Sequence, residues 1–385
     1  MLASSRRRWP RVLLRSAAAL VLFLLLAAGA GVLWLRSITK AALPVLDGDL
    51  HLAGLSAPVT VRRDAHGVPH IDAATQQDLF VAQGYVTAQD RLWQMDIFRR
   101  NANGELAEVL GSSLVKHDVA QRVLQFRNTA RRVYASLDPA DRTRFDAYAR
   151  GVNLYIAQHQ DTLPPEFALL HYHPQTWSGV DCLSIGMMMV ETLDTHWDVK
   201  LARERISNDL HNPRLESDLY PVGSWRDHPP TGVVLDLSQP HPEPPASDDD
   251  EEDNSQAGTA PLNNLNALRA SLGLPQCTGC TPGSNNWVIS GKHTASGKPL
   301  LSNDMHLGFS VPNIWYMADL RAPGYHAAGV TLTGFPFVIA GHNEHVAWGF
   351  TALYADVQDL YVEDLDGRGN FKSSDGSWKP LAVDH

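Results

Sequence analysis

The serine in Gly283-Ser284-Asn285-Asn286-Trp287 has the setting that a self-activating nucleophile needs. It follows a stretch from Pro221 to Gly283 that is dense in proline (Pro229, Pro230, Pro240, Pro242, Pro244, Pro245) and carries the acidic run Asp248–Asp253. Such a segment has too little apolar surface to offset the entropy of ordering it, so it reads as a solvated linker. Exposed linkers are where chains are cut. A cut between Gly283 and Ser284 would give Ser284 a hydroxyl and a free α-amine, whose unperturbed pKa is about 7.7–8.0. That amine can take the hydroxyl proton directly or through water, so one residue supplies nucleophile and base. Taken alone, Gly-Ser-Asn is also an ordinary loop tripeptide.

Other chemistries find less support. The sequence has no Gly-x-Ser-x-Gly elbow, no phosphate-binding Gly-x-x-x-x-Gly-Lys-Ser/Thr loop and no dinucleotide fingerprint. The pairs His171/His173, His342/His345 and Asp304/His306 read as structural, because a catalytic zinc needs three ligands in fixed geometry. Cys277-Thr-Gly-Cys280 is a lone Cys-x-x-Cys, better suited to a local disulfide or no role than to a four-ligand zinc site.

The elements that would position Ser284 can be read from periodicity and caps. His51–Ile71 reads as two short strands with a turn at His66-Gly67-Val68-Pro69. Thr75 with Asp78 opens a long helix to about Asn101, its face marked by Phe80, Gly84, Ala88, Leu92, Met95 and Phe98. Asp138 and Pro139 cap a second helix to His159, and Cys182 to about Leu210 reads as a third. After Gly283 the texture turns to strands: Trp287-Val-Ile, Leu300-Leu301, Ile314–Leu320, Val330-Thr-Leu and Phe337-Val-Ile, with a turn at Ser290–Gly297.

At the N-terminus, Arg6, Arg7, Arg8, Arg11 and Arg15 precede an uncharged run, Ser16–Leu35. Its length, roughly 30 Å as a helix, suits a signal anchor or a long signal peptide, with Ala28-Gly29-Ala30 as a cleavage sequence. Either way the basic flank keeps the rest of the chain outside the cytoplasm, in the periplasm or cell envelope. The formal charge of −10 over 385 residues disfavours nucleic acid, although six of those negatives lie in Asp248–Asp253.

A set of motifs extends the reading. Arg63-Asp64-Ala-His-Gly67-Val-Pro69-His70-Ile71, Gly84-Tyr-Val-Thr-Ala-Gln-Asp90-Arg91-Leu-Trp93-Gln94-Met95, Arg99-Arg100, Gly104-Glu-Leu-Ala-Glu108 and Gly111 precede the linker. After it come Ser284-Asn285-Asn-Trp287, Asn303-Asp-Met-His306-Leu307, Gly341-His342-Asn343-Glu344, Ala347-Trp348-Gly349-Phe350-Thr351 and Asp356-Val-Gln-Asp359-Leu-Tyr361-Val-Glu363. In these motifs and their order, the chain resembles the penicillin amidase family of N-terminal-nucleophile hydrolases, which includes penicillin acylases and N-acyl homoserine lactone acylases.

The resemblance implies an α+β fold: a four-layer αββα sandwich of two antiparallel sheets between helices, with a helix-rich α-chain part. It implies a precursor that cuts itself into an α/β heterodimer. Residues 1–36 would be the signal or anchor, 37–235 the α-chain part, 236–283 an excised spacer, and 284–385 the start of a β chain that continues further in relatives. Ser284 would be the nucleophile, released at Gly283, with the backbone N–H of Ala352 holding the oxyanion. His306 would lie beside it through its side chain or backbone. Asp356, Gln358 and Asp359 match ligands of a structural calcium, with Glu191 or Asp198 supplying the carboxylate that Lys200 replaces. No organic cofactor is implied. Leu307 and Ala340 match acyl-pocket positions that are aromatic in phenylacetyl-preferring relatives, which points to a roomier pocket and longer aliphatic acyl chains. The implied function is hydrolysis of a small-molecule acyl amide through an acyl-enzyme. An inactive envelope binding protein of the same fold and a membrane-anchored zinc amidase are the rival readings.

Overall fold

A computed structural model describes residues 9–193, 197–212, 215, 283–307, 310–351 and 361–382. Helix α1 (Trp9–Ala41) has an exposed apolar surface and is, among the described residues, the one helix long and apolar enough to span a membrane. Strands β1 (Thr60–Arg63) and β2 (Pro69–Asp72) form an antiparallel hairpin around the expected turn.

Helix α2 (Gln76–Asn103) is the centre of the core. Its start was legible: Thr75 Oγ1 accepts the Asp78 N–H at 3.1 Å, and Gly104, in the left-handed region at φ 65°, closes it. Nearly all of its faces are buried, and the six residues read as its inner face are among them. Short helices α3 (Ala107–Leu110), α4 (Val115–Val123) and α5 (Phe126–Ser136) lead to α6 (Pro139–Gln158), where the Asp138 carboxylate accepts the Ala140 N–H at 2.8 Å.

Helices α2 and α6 approach unusually closely. A Cβ at Gly84 would fall 2.0 Å from the Tyr148 carbonyl oxygen, and one at Gly151 would fall 1.9 Å from that of Val81. Two glycines, one on each helix, therefore set the separation of the pair. Buried Asp96 draws Arg99, Arg100 (2.8 Å) and Tyr172 (2.9 Å) together beside α7 (Pro165–Leu169), so no charge in this polar cluster is left alone.

The third expected helix is interrupted. Ser178 and Asp181 cap α8 (Gly179–Thr192) reciprocally, and a separate α9 (Trp197–Leu210) follows. The split coincides with a boundary between compact units. Residues 9–192 and 283–351 belong to one unit; α9 belongs to another, together with the small hairpin of β9 and β10 described below.

Within the first unit, β3 (Gly283–Ile289) pairs antiparallel with β4 (Leu300–His306) across the expected turn. Strands β5 (Trp315–Ala322), β6 (Tyr325–Leu332), β7 (Ala340–His342) and β8 (Ala347–Trp348) join the first hairpin in a six-stranded sheet ordered β1-β2-β5-β6-β7-β8. The chain is thus α+β, as read from the sequence. The sheet corrects one detail, because β2 and β5 run parallel. A second correction concerns Phe337-Val-Ile. Phe337 sits in the left-handed region (φ 76°), so the strand begins only at Ala340.

Strand alternation gives the sheet two characters. Ile71, Ala318, Leu320 and Ala327 pack with Leu79, Ala82 and Val86 of α2. The opposite face carries His70, Asp319, Arg321 and His326, joined by hydrogen bonds to Asp319. In the second unit, β9 (Asn370–Lys372) and β10 (Trp378–Pro380) form an antiparallel hairpin.

Candidate functional site

Ser284 is the second residue of β3 and half-buried. The register sets Ser284 opposite Met305 and Gly283 opposite His306. The backbone of Met305 and His306 therefore runs directly beside the Gly283–Ser284 bond. Side chains alternate, so Ser284, Asn286, Asn303 and Met305 share one face, while Asp304 and His306 share the other. On that second face His306 Nε2 lies 3.0 Å from Asp304 Oδ2. The backbone of His306 thus lies opposite Gly283, and its exposed ring pairs with Asp304.

On the face of Ser284, Asn303 makes a compact set of bonds. Its Oδ1 accepts the Phe350 N–H at 3.1 Å, and its Nδ2 donates to the Phe350 carbonyl at 2.9 Å and to the Asn285 carbonyl at 3.3 Å. A Cβ at Gly349 would lie 2.7–2.9 Å from the Asn303 side chain. Neither residue has an assigned role in the sequence reading, although a glycine inside a strand-like run is a signal of close backbone approach.

Leu307 packs at the edge of the main core, in a cluster that includes Trp315, Phe335, Phe337 and Ile339. Ala340 is buried in β7 opposite Val330. Phe337 contributes edge-on contacts to Phe80 (5.0 Å between centroids) and Phe145 (5.5 Å). A separate cavity of about 710 Å³ lies elsewhere, lined by residues including His66, Arg91, Trp93, Pro312 and Tyr316.

Glu191 lies in the last turn of α8, half-buried, with Oε2 accepting from Gln121 Nε2 at 2.9 Å. An acidic group there faces the negative end of the helix dipole, so a donor or a cation stabilises it. Ala352, Asp356, Gln358 and Asp359 lie outside the described residues, as do Asp198's side chain, Cys277, Cys280 and the spacer up to residue 282. Among the described residues, no group of three or more His, Cys, Asp or Glu side chains forms a metal centre.

Residues 58–385 match the family described as penicillin amidase. This chain belongs to that family. Penicillin amidase relatives include an acyl-homoserine lactone acylase, QuiP, of Pseudomonas aeruginosa, 33% identical over 90% of this chain and 39% of that protein. Penicillin acylase 2 proenzyme of Pseudomonas sp. strain SE83 is 31% identical over 90% of this chain and 43% of its own length. A solved thermostable penicillin G acylase from Alcaligenes faecalis is 31% identical, with a TM-score of 0.40 over 48% of this chain and 98% of that one. The chain spans about two-fifths of the length of these curated relatives.

Proposed function

We propose that the protein is a self-processing acylase that hydrolyses a carboxylic amide through an acyl-enzyme on Ser284. The observation that carries this reading is the position of Ser284. It stands at the start of a strand, directly after a proline-rich acidic segment, in a chain of the penicillin amidase family.

In this reading the Gly283–Ser284 bond is cut, giving an α/β heterodimer and freeing the α-amine. Ser284 Oγ attacks the amide carbonyl while the amine takes its proton, directly or through water. The oxyanion is held by the Ala352 N–H; one such donor is worth about 2.7–4 kcal/mol to the transition state. The amine product leaves with the proton, and water then releases the acid by the same route. Leu307 and Ala340, both smaller than an aromatic ring, leave room for an aliphatic acyl chain. Acyl homoserine lactones and penicillin-like side chains are the substrate classes that the relatives' names suggest.

A structural calcium belongs to the same proposal, held by oxygen donors of Asp356, Gln358, Asp359 and Glu191. The half-buried Glu191 at a helix C-terminus supports it, since a cation there would offset the unfavourable dipole. The exposed apolar α1 with its basic flank supports export to the periplasm, either anchored or after signal cleavage.

Intact mass and N-terminal sequencing of the protein expressed from its complete gene test the reading. A new chain beginning at Ser284 is expected, with turnover of an acyl-amide panel. Ser284→Ala should abolish both. A folded wild-type protein left uncut, or a Ser284→Ala protein that still matures and hydrolyses, would sink it. Loss of activity with chelator alongside full tolerance of Ser284→Ala would point to a zinc amidase instead.

A further inference from the structure

We infer that Asn303 is a positioning residue for the oxyanion site, clamping the backbone that leads to Ala352 against the strand that carries Ser284; this rests on the function proposed above. The clamp is a side-chain amide acting as a strand partner. Oδ1 and Nδ2 of Asn303 engage both the N–H (3.1 Å) and the C=O (2.9 Å) of Phe350, as an antiparallel neighbour would. The second Nδ2 hydrogen goes to the carbonyl of Asn285, the residue after the nucleophile (3.3 Å). One amide thus ties two backbones that lie 65 residues apart in sequence, Asn285 and Phe350.

Register places this tie close to the chemistry. Asn303 is the diagonal neighbour of Ser284 on the same face, a relation that spans about 7–8 Å. From Phe350, two further residues cover at most about 7 Å. Asn303 therefore fixes the backbone two residues before Ala352 in sequence beside the strand that carries Ser284.

Gly349 gives independent support. Its φ is not in the left-handed region, so conformational freedom does not explain the glycine. Space does: a Cβ would come within 2.7 Å of Asn303 Oδ1, 2.8 Å of Cγ and 2.9 Å of Cβ. Two side chains are involved, one long enough to bridge and one absent so that the bridge can close. A clamp of this kind acts on the transition state, because the oxyanion forms only there. A misplacement of about 1 Å can cost about 10²-fold in rate, and a lost donor about 10²–10³-fold.

The test uses the matured enzyme from the complete gene, with wild-type turnover established first. Asn303→Ala is expected to lower kcat about 10²-fold with KM within about threefold of wild type. Asn303→Asp, which keeps the acceptor but turns an oxygen toward two carbonyls, should do the same. Gly349→Ala should lower kcat while Asn303 is present. The double variant should be no worse than Asn303→Ala alone, since removing the amide makes room for the new methyl. Where a variant does not mature, amide exchange of residues 349–351 in a Ser284→Ala background is the readout, and Asn303→Ala should raise it. Unchanged kcat in Asn303→Ala, multiplying effects in the double variant, or unaltered exchange would overturn the inference. A wild type without turnover would instead overturn the functional reading and this inference with it.

Discussion

Phe337 shows how a single residue can be fixed by a partner far along the chain. Its backbone is left-handed, at φ 76°, a conformation that costs a bulky residue about 1–2 kcal/mol. Buried Gln83 compensates by accepting the Phe337 N–H (3.3 Å) and donating to its carbonyl (3.4 Å). The ring is then aimed at Phe80 and Phe145, next to the run that leads to Ala340. Removing the Gln83 amide leaves two backbone groups without a partner, at about 1–3 kcal/mol. Gln83→Ala should therefore lower stability by about 2–4 kcal/mol once its own packing is included, read from urea unfolding. Phe337→Gly separates the terms. It relieves the backbone by about 1–2 kcal/mol, but deleting a large aromatic side chain from packed surroundings costs about 3–5 kcal/mol. Net destabilisation is expected; a more stable Phe337→Gly protein would mean that the ring contributes little there.

At the scale of elements, what the sequence made legible was local. Thr75 and Asp138 cap their helices with bonds to residues three and two positions on, so the signal and its cause lie in one short window. The place of Ser284 near the start of a strand is local in the same way, since the change from a proline-rich acidic run to strand-forming residues is a matter of composition. The Phe337 backbone, the Asn303 clamp and the parallel β2–β5 pairing were not, because each depends on a partner tens to hundreds of residues away. Gly84 is intermediate: its place on the inner face of α2 was readable, but the reason it must be glycine is the Tyr148 carbonyl on α6. Gly151 answers it from α6, facing Val81. A Gly151→Ala change gains about 1 kcal/mol of helix propensity. Against that gain, its methyl would lie 1.9 Å from backbone on another helix, where nothing flexible can yield. Separating two packed helices falls at or beyond the usual overpacking cost of about 1–3 kcal/mol. Gly151→Ala should destabilise by roughly 2 kcal/mol or more, and an unchanged urea midpoint would refute the close approach.

For the molecule as a whole, two charge effects extend beyond single contacts. If calcium is bound as proposed, it stabilises the fold by mass action, by about 2.7 kcal/mol at one hundred times its Kd. Chelation should then lower the thermal midpoint by several degrees, and Glu191→Gln should make the protein insensitive to chelator; an unchanged midpoint in the wild type would count against a bound ion. The second effect lies on the polar face of the six-stranded sheet. Asp319, only 6% exposed, meets His70 Nδ1 at 2.8 Å, His326 Nε2 at 3.0 Å and Arg321 at 3.1 Å, with Glu344 on the far side of His326. Burial works against its charge, but hydrogen bonds from Arg321, His70 and His326 outweigh it and hold the carboxyl below its usual value. A carboxylate depressed in the folded state contributes stability above its unfolded pKa of about 3.9, and that contribution is lost as pH falls through the folded value. Strands β2, β5 and β6 meet at this one group, so its protonation loosens the sheet where sequence-distant segments join. Wild type should therefore exceed Asp319→Asn in stability at pH 6, and the difference should shrink as the pH is taken below about 4. Urea unfolding of both proteins across that range provides the measurement. A difference that stays constant down to pH 3 would show that Asp319 acts through packing rather than charge.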